Sequence, residues 1–548
     1  MKHIKYKFLV LVAMIFSIAS CDLDLLDNPN AVSPNNADIN LLINRLTVDY
    51  SFHFNGFSDS GMRLTRMLNQ GAAIYDNAIT PAGQNGNWSQ AYANILVDAK
   101  TIIDLGDKSN LFVHAGIART LRAAVLLNMV DHYGDIPFSE TLDPSNFNPK
   151  TDDGATVYAA ALKDLNDAIA NFAANSLSNG NDIFFGGNKD RWTRVANTLK
   201  LKANLNLKLV DRAKAVSEIN ALIAGGKLIT ANADNFLFRF GTNLNNPDNR
   251  HPRYAGGYTP TGGGDYMSNA YMGEMYDRKG FEDPRIRYYF YRPVIRNSTN
   301  VNEIRCIGVN KPNHYSDSDY FCYPTQVGYW GRDHLSNEGI PPDNLLRTQW
   351  GLYPAGGLYD QGTGGNVSIG AGAGGAGIHP ILTASFTHFM LAEAALTLGT
   401  TGDATKYLED AIQLSMDQVR SFAMATTEAS KINASEAARG FVWADEVAKY
   451  KTFVKDAFAA APSNDAKMDI IAREYQYAAW GNGTEIYNLY RRTGFPSNLQ
   501  PGLDPNVGPF VRSFYYPLNF IIANTNAKQK ANAAVQVFWD KNPAGFIK

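Results

Sequence analysis

Apolar residues recur at three- and four-residue spacing over much of the chain, which is the pattern of helices that bury one face. The pattern predicts helices over residues 95–105, 113–130, 158–172, 195–210, 211–224, 385–398, 404–422 and 467–479. Between about residues 232 and 379 the helical period disappears, and ten of the 22 positions from 356 to 377 are glycine. Since glycine carries no side chain to bury and disfavours a helix, we expect a long loop-rich segment there.

Two of the predicted helices share one arrangement of small and large residues. Ala161 is followed four positions later by Leu165, Ala404 is followed by Leu408, and an Asp-Ala-Ile run comes next in both. A small Ala lets a neighbouring helix approach closely, while Leu fills the adjacent space. This alternation is typical of tetratricopeptide-like helix pairs, in which neither helix buries its face alone.

These patterns predict a mainly α fold. Tetratricopeptide-like helix pairs would form a right-handed scaffold over about residues 37–235 and 380–548. A long irregular, loop-rich insert over about residues 236–380 would carry the ligand surface, because recognition residues concentrate on loops held by a rigid scaffold.

The first 21 residues have the organisation of a secretory leader. Lysines at positions 2, 5 and 7 precede an apolar run over residues 8–19, which is too short to span a bilayer as a helix. The sequence Ile-Ala-Ser-Cys at residues 18–21 resembles a bacterial lipobox, in which Cys21 becomes the lipidated first residue. We therefore predict a lipoprotein signal peptide over residues 1–20 and one domain over residues 21–548. The alternative is an ordinary signal peptide with an accidental Cys.

Composition and charge narrow the class of partner. Fifty Lys and Arg residues against 52 Asp and Glu give a net charge of −2, so the chain has no overall field that would attract nucleic acid. Three cysteines in 548 residues exclude a scaffold built from disulfides. Cys306 and Cys322, 16 positions apart in the insert, either form one disulfide or remain two buried thiols.

Signatures of catalysis and of metal binding are absent from the sequence. We find no HExxH, GxSxG or GxxxxGK[ST] motif, and the carboxylates are too evenly spread to nominate an acid/base pair. Asp317-Ser318-Asp319 either offers oxygen ligands to Ca²⁺ or is a solvated acidic turn, and it lacks the rest of a calcium loop. The motifs therefore nominate no catalytic residue, and we expect no metal or cofactor.

Several motifs, in order along the chain, resemble the SusD/RagB family of outer-membrane nutrient-binding lipoproteins. They are DHYGDIPFSE at residues 131–140, RWTRVANTLKL at 191–201, LAEAA at 391–395, REY at 473–475 with YRRTGFP at 490–496, and RSFYYPLN at 512–519. In the last motif Asn519 stands near a position that is often acidic in the family.

The resemblance implies a definite role. Members are mostly helical, have no catalytic activity, and sit as a lid over a SusC-like TonB-dependent transporter, to which they deliver a glycan or, in some cases, a peptide. Acidic residues at positions 22, 24 and 27 resemble the surface-export signal of such lipoproteins, which implies an outer-membrane protein facing the cell exterior. A surface glycoside hydrolase and a protein-assembly scaffold stay as alternatives from other classes.

The residue types of the insert fit carbohydrate recognition. Aromatic rings stack on the apolar faces of sugars, and polar side chains bond the hydroxyl rim. The predicted ligand-binding residues are Trp330, Trp350, Tyr329, Tyr353, Tyr359, Tyr323, Arg332 and Asp333 in the insert, with Tyr75 and Trp88 in an earlier Asn/Gly-rich segment that would face the same cleft. For each ring the alternative is packing in the core. Trp192, Trp443, Trp480 and Trp539 are expected to be core residues.

Overall fold

The structure, a computed structural model, describes residues 38–322, 325–338 and 345–547. Its elements in chain order are α1 Ile39–Leu64, α2 Tyr75–Ala78, α3 Asn85–Ser89, a π-helical turn Gln90–Ile95, α4 Leu96–Lys108, α5 Phe112–Tyr133, α6 Gly154–Ala173, α7 Lys189–Leu207, α8 Arg212–Gly225, β1 Phe236–Arg239, α9 Pro252–Gly257, α10 Asn269–Tyr276, α11 Ile286–Tyr289, β2 Phe290–Tyr291, β3 Gln349–Trp350, β4 Ile378–Leu382, α12 Ala384–Leu398, α13 Ala404–Met424, α14 Ala429–Arg439, α15 Trp443–Ala460, α16 Asn464–Ala478, α17 Gly483–Thr493 and α18 Leu518–Ala523. The fold is mainly helical, as the sequence predicts.

Each of the eight helices predicted from periodicity is present, within a few residues of its expected ends. Polar side chains cap eight of the longer helices, including α1 and α17. Each accepts a hydrogen bond from the first turn of its helix, which satisfies an otherwise unpaired backbone N–H. The capping residues are Asp38, Asp153, Asn188, Asp211, Thr383, Asp403, Ser463 and Asn482. Left-handed glycines end several helices, among them Gly226, Gly399 and Gly494.

Neighbouring helices pack in pairs along the scaffold, α5 against α6 and α12 against α13. Ala161 and Leu165 of α6 are fully buried, as is Leu408 of α13, whereas Ala404 at the start of α13 is only half-buried. The repeated Ala-Leu pattern therefore marks packed helix faces. None of the helices in the described ranges is long and apolar enough to cross a membrane.

The insert begins and ends at one place on the scaffold. β1 and β4 pair antiparallel, with Phe236 opposite Leu382 and Arg239 opposite Ile378. A second antiparallel pair joins β2 to β3. Elsewhere the described residues of the insert are loop with three short α-helices, α9 to α11, and a 3-10 turn Arg305–Gly308, so the loss of the helical period does not mean that helix is entirely absent.

Two of the sequence motifs meet in a buried ion pair. Arg492 of α17 donates through Nε and Nη2 to both carboxylate oxygens of Glu393 in α12, each at 2.7 Å, and Lys208 after α7 donates to the same carboxylate at 2.8 Å. Although burial raises the pKa of Glu393, Arg492 and Lys208 lower it to about 2. The LAEAA and YRRTGFP motifs thus tie three helices together through charge.

A second buried carboxylate organises the C-terminal segment. Asp131 of α5 accepts hydrogen bonds from Tyr158 Oη at 2.5 Å, Asn488 Nδ2 at 2.7 Å and Trp539 Nε1 at 2.9 Å. The donors lie on α6, on α17 and near the chain end. The DHYGDIPFSE motif therefore serves the fold, and Trp539 is a core residue as expected, together with Trp192 and Trp480, whereas Trp443 is half-buried.

We predict that Glu393→Gln destabilises the protein by about 3–5 kcal/mol, because it leaves the buried Arg492 and Lys208 without their counter-charge. Chemical denaturation followed by circular dichroism measures the free energy of unfolding. Asp167→Asn is the matched control, since Asp167 pairs with Lys163 on an exposed helix face and its loss should cost less than about 0.5 kcal/mol. Equal effects of the two variants would show that the buried pair does not hold the helices together.

Candidate ligand-binding cavity

The rings predicted to stack on a ligand are buried. Less than a tenth of the residue surface is exposed for each of Trp330, Trp350, Tyr329, Tyr353, Tyr359, Tyr75 and Trp88. The prediction required these rings to be exposed, and for that reason it is wrong for them. The alternative, packing in the core, describes them. Tyr323 and Cys21 lie outside the described residues.

The two tryptophans of the insert are buried for different reasons. Trp330 packs with Ile304 over the disulfide that joins Cys306 to Cys322. Trp350 stacks on Trp480 with 4.4 Å between ring centroids, and its Nε1 donates to the carboxylate of Asp265 at 2.9 Å. Trp330 therefore packs within the insert, whereas Trp350 packs between the insert and the scaffold.

The remaining predicted rings also have protein partners. Tyr329 donates to Asp360 at 3.2 Å. Tyr353 stacks on Tyr289, Tyr359 meets Tyr288 edge to face, and Trp88 packs against Tyr133 and Phe520. Of the polar candidates, Asp333 is buried, and half-buried Arg332 stacks on Tyr266 and donates to the carbonyl oxygen of Glu338.

A cavity of about 660 Å³ lies where three parts of the chain meet. One wall is the segment after α1, with Arg66 and Tyr75, and a second is the insert loop that carries His314 and Asp319. The third wall is the C-terminal part of the chain. It contributes Tyr490, Gly494, Ser497, Leu499, Pro501, Gly502, Asp504, Pro505, Val507, Gly508, Pro509, Phe510, Phe546 and Ile547. Tyr75 thus lines a cavity together with part of the insert, whereas Trp88 and the predicted rings of the insert do not line it.

The disulfide positions the second wall. The bridge between Cys306 and Cys322 closes a 16-residue loop, and the cavity residues of the insert lie inside that loop. Within it the carboxylate of Asp319 accepts from the backbone N–H of Ser316 at 2.7 Å. Asp317-Ser318-Asp319 was expected to be either a Ca²⁺ site or a solvated acidic turn, and this bond fits the turn. In the described ranges no cluster of His, Cys, Asp and Glu could hold a metal ion.

The buried guanidinium of Arg66 joins the first wall to the third. Arg66 has a φ of 59°, a left-handed conformation that is costly for a residue with a side chain. Its Nε donates to the carbonyl oxygen of Gln500 at 3.1 Å, and its Nη2 donates to Tyr75 Oη at 2.8 Å. Tyr75 Oη also lies 3.0 Å from Nε2 of His334. These bonds hold the backbone of Arg66 in its strained position.

The hydrogen-bond chain continues behind the cavity. The side-chain oxygen of Gln500 accepts from the backbone N–H of His334 at 2.8 Å, and its Nε2 donates to the carboxylate of Asp333 at 2.7 Å. Burial raises the pKa of Asp333 to about 6, raises that of Tyr75 to about 12, and lowers that of His334 well below its ordinary value. The predicted residue Asp333 therefore supports the cavity from behind.

The cavity presents one exposed phenyl ring and an acidic rim. Phe546 is 39% exposed and lies against Gly494, and the imidazole of His314 is another exposed ring of the lining. Asp319 and Asp504 supply carboxylates, and Ser497 supplies an exposed hydroxyl. The guanidinium of Arg66 is already bonded to protein groups, so the lining has no cation that faces outwards. An apolar ring beside several hydrogen-bonding groups suits a neutral, hydroxyl-rich ligand.

The sequence interpretation missed the third wall. Residues 494–510 contain three glycines and four prolines, which indicate a loop, and loops on a rigid scaffold carry binding residues. The sequence therefore indicates this loop, but the predicted site was chosen by aromatic content, which is concentrated in the insert. Nothing in the local sequence around Phe546 indicates that the chain end returns to this cavity.

Comparisons with known proteins agree on the family. Residues 44–517 match the family model SusD-like_2, described as "Starch-binding associating with outer membrane". The fold is similar to a SusD homologue from Bacteroides uniformis, at 18% identity and a TM-score of 0.64, covering 92% of this chain and 100% of that one. A SusD/RagB family protein from Bacteroides thetaiotaomicron matches at 16% identity and a TM-score of 0.67, with coverage of 92% and 100%.

A third solved structure names a ligand. It is a chitin-binding SusD homologue from Flavobacterium johnsoniae, 19% identical with a TM-score of 0.60, and the match covers 92% of this chain and 98% of that one. At these identities the likeness establishes the fold. A comparison with curated protein sequences finds no significant match.

The raised pKa of Asp333 predicts a pH-dependent stability. The folded protein holds this proton up to about pH 6, whereas the unfolded chain releases it near pH 4. The free energy of unfolding should therefore decrease as the pH rises from 4 to 6, and this decrease should be smaller in Asp333→Asn. Urea denaturation at a series of pH values measures both curves. The exposed change Asp504→Asn is the control, and identical pH profiles for Asp333→Asn and the unmodified protein would contradict the assignment.

Proposed function

The chain belongs to the SusD-like family, and from this premise we propose that it is a non-catalytic surface protein that binds a nutrient glycan in the cavity between Arg66, Asp319 and Phe546. The family is associated with the outer membrane and is described as starch-binding. The observation that carries the proposal is the placement of one exposed phenyl ring, Phe546, among hydroxyl, carboxylate and backbone groups in a cavity of about 660 Å³. That volume is in the range of small-molecule sites.

The ligand class follows from the chemistry of the lining. Two carboxylates and no outward-facing cation disfavour acidic sugars, so we propose a neutral oligosaccharide. A neutral sugar polymer is also named for two relatives, starch for the family and chitin for the Flavobacterium johnsoniae homologue. Hydroxyl donors of the sugar would bond Asp319 and Asp504, while one apolar sugar face would lie on Phe546.

The cellular setting is proposed from the sequence. Lipidation of Cys21 would anchor the protein in the outer membrane with its folded part facing the cell exterior. The partner would be a SusC-like TonB-dependent transporter, over which this chain would close as a lid and to which it would pass the glycan.

We predict that Phe546→Ala weakens binding of maltoheptaose or chitohexaose roughly ten- to a hundred-fold, because loss of a stacking ring costs about 1–3 kcal/mol. Isothermal titration calorimetry with both sugars measures the affinity, and thermal melting checks the fold. The melting temperature should change little, since the ring is largely on the surface.

Phe147→Ala is the matched control for this experiment. Phe147 is 81% exposed and does not line the cavity, so its removal should leave sugar affinity unchanged. Equal affinities of the Phe546→Ala variant and the unmodified protein would refute the site. Binding of extended peptides in place of both sugars would refute the proposed ligand class.

A further inference from the structure

A second cavity, of about 670 Å³, lies on another part of the molecule and shares no lining residue with the first. It is bounded by the end of β1, the start of β4, the glycine-rich residues 373–377 and the last two turns of α13. Its position is fixed by backbone bonds, because the N–H of Phe240 donates to the carbonyl oxygen of Gly377 at 2.9 Å. The rigid sheet and helix therefore hold this cavity open independently of the first.

Two half-buried phenyl rings line the second cavity. Phe240 is held edge to face by His251 and His379, at centroid distances of 4.9 and 4.6 Å. Phe422 is held by Tyr353 at 5.5 Å. Each ring packs against protein on one side and is partly exposed on the other. Such a ring is suited to stack on the apolar face of a sugar.

The polar groups of the second cavity are arranged for hydroxyls. The side-chain oxygen of Gln418 accepts from Asn235 at 2.7 Å, which leaves its NH₂ group as a donor to a ligand. Ser421 is exposed, and its hydroxyl makes no hydrogen bond within the described ranges.

Charge distinguishes the second cavity from the first. No Asp or Glu lines it, and its one charged side chain is Arg239, which is exposed at the end of β1. Arg191 reaches the same rim, where its Nη2 donates to the carbonyl oxygen of Ala233 at 2.6 Å. Asp234, the chain neighbour of the lining residue Ala233, is paired with Arg194 at 3.5 Å. The rim is therefore positive, whereas the first cavity has two carboxylates.

We propose that the second cavity is a separate binding site for an acidic saccharide, with a uronate ring on Phe240 or Phe422 and its carboxylate at Arg239. The choice of a saccharide rests on the proposed function, whereas the choice of an acidic one rests on the positive rim. A chain with both cavities would hold neutral and acidic parts of a mixed polysaccharide at two places at once.

The test blocks each cavity separately. Ser421→Trp places a large ring in the second cavity at an exposed position, and Ser421→Ala is its control. The probes are a hexamer of galacturonate, a hexamer of mannuronate and, as the neutral sugar, maltohexaose. Titration calorimetry measures the affinity for each probe. We expect Ser421→Trp to weaken binding of at least one acidic hexamer more than tenfold, while Ser421→Ala and Phe546→Ala bind it within twofold of the unmodified protein.

Arg239→Gln tests the charge without depending on a bulky substitution. It should weaken binding of the acidic hexamer about 2–5-fold, as expected for one exposed charge, and Arg239→Lys should restore most of the affinity. Failure of both acidic hexamers to bind, or unchanged acidic binding in Ser421→Trp, would overturn this inference. Loss of maltohexaose binding in Phe546→Ala but not in Ser421→Trp would still support the first cavity, so the two proposals fail separately.

Discussion

The buried guanidinium of Arg66 is the constraint around which the first cavity is arranged. A charge removed from water must be fully hydrogen-bonded, and the partners of Arg66 lie on segments far apart in the sequence, at Tyr75 and Gln500. The bonds among Tyr75, His334, Gln500 and Asp333 then fix the insert against the C-terminal loop. The cavity thus depends on one buried cation whose partners Tyr75 and Gln500 in turn bond the insert at His334 and Asp333.

The same physical rule explains the sequence motifs of the scaffold. Glu393 and Arg492 are brought together as a buried ion pair, and Asp131 collects donors from α6, α17 and the chain end. These motif residues serve to join helices, and they lie outside both cavities. Two other residues of the YRRTGFP motif, Tyr490 and Gly494, line the first cavity.

Eight of the longer helices were predictable from the sequence because their signal is local, whereas α1, α14, α15 and α17 were not predicted. Apolar spacing, capping residues and the paired Ala-Leu pattern each lie within one or two turns, and tertiary packing did not override them. Exposure of the aromatic rings was not predictable in this way. Trp350 is buried by Trp480, 130 positions away, and Trp330 is buried over a disulfide that the sequence left undecided. Phe546 was missed because its place at the cavity depends on the path of the whole C-terminal segment.

The central claim is that a neutral glycan occupies the cavity between Arg66, Asp319 and Phe546. Hydrogen–deuterium exchange over the whole chain, with and without saturating maltoheptaose, tests it most directly because it locates the ligand without any substitution. The account predicts slower amide exchange in residues 312–319 and 497–510 on binding, with little change at residues 239–242 and 418–427. Slower exchange confined to residues 239–242 and 418–427, with none in the first two segments, would contradict it.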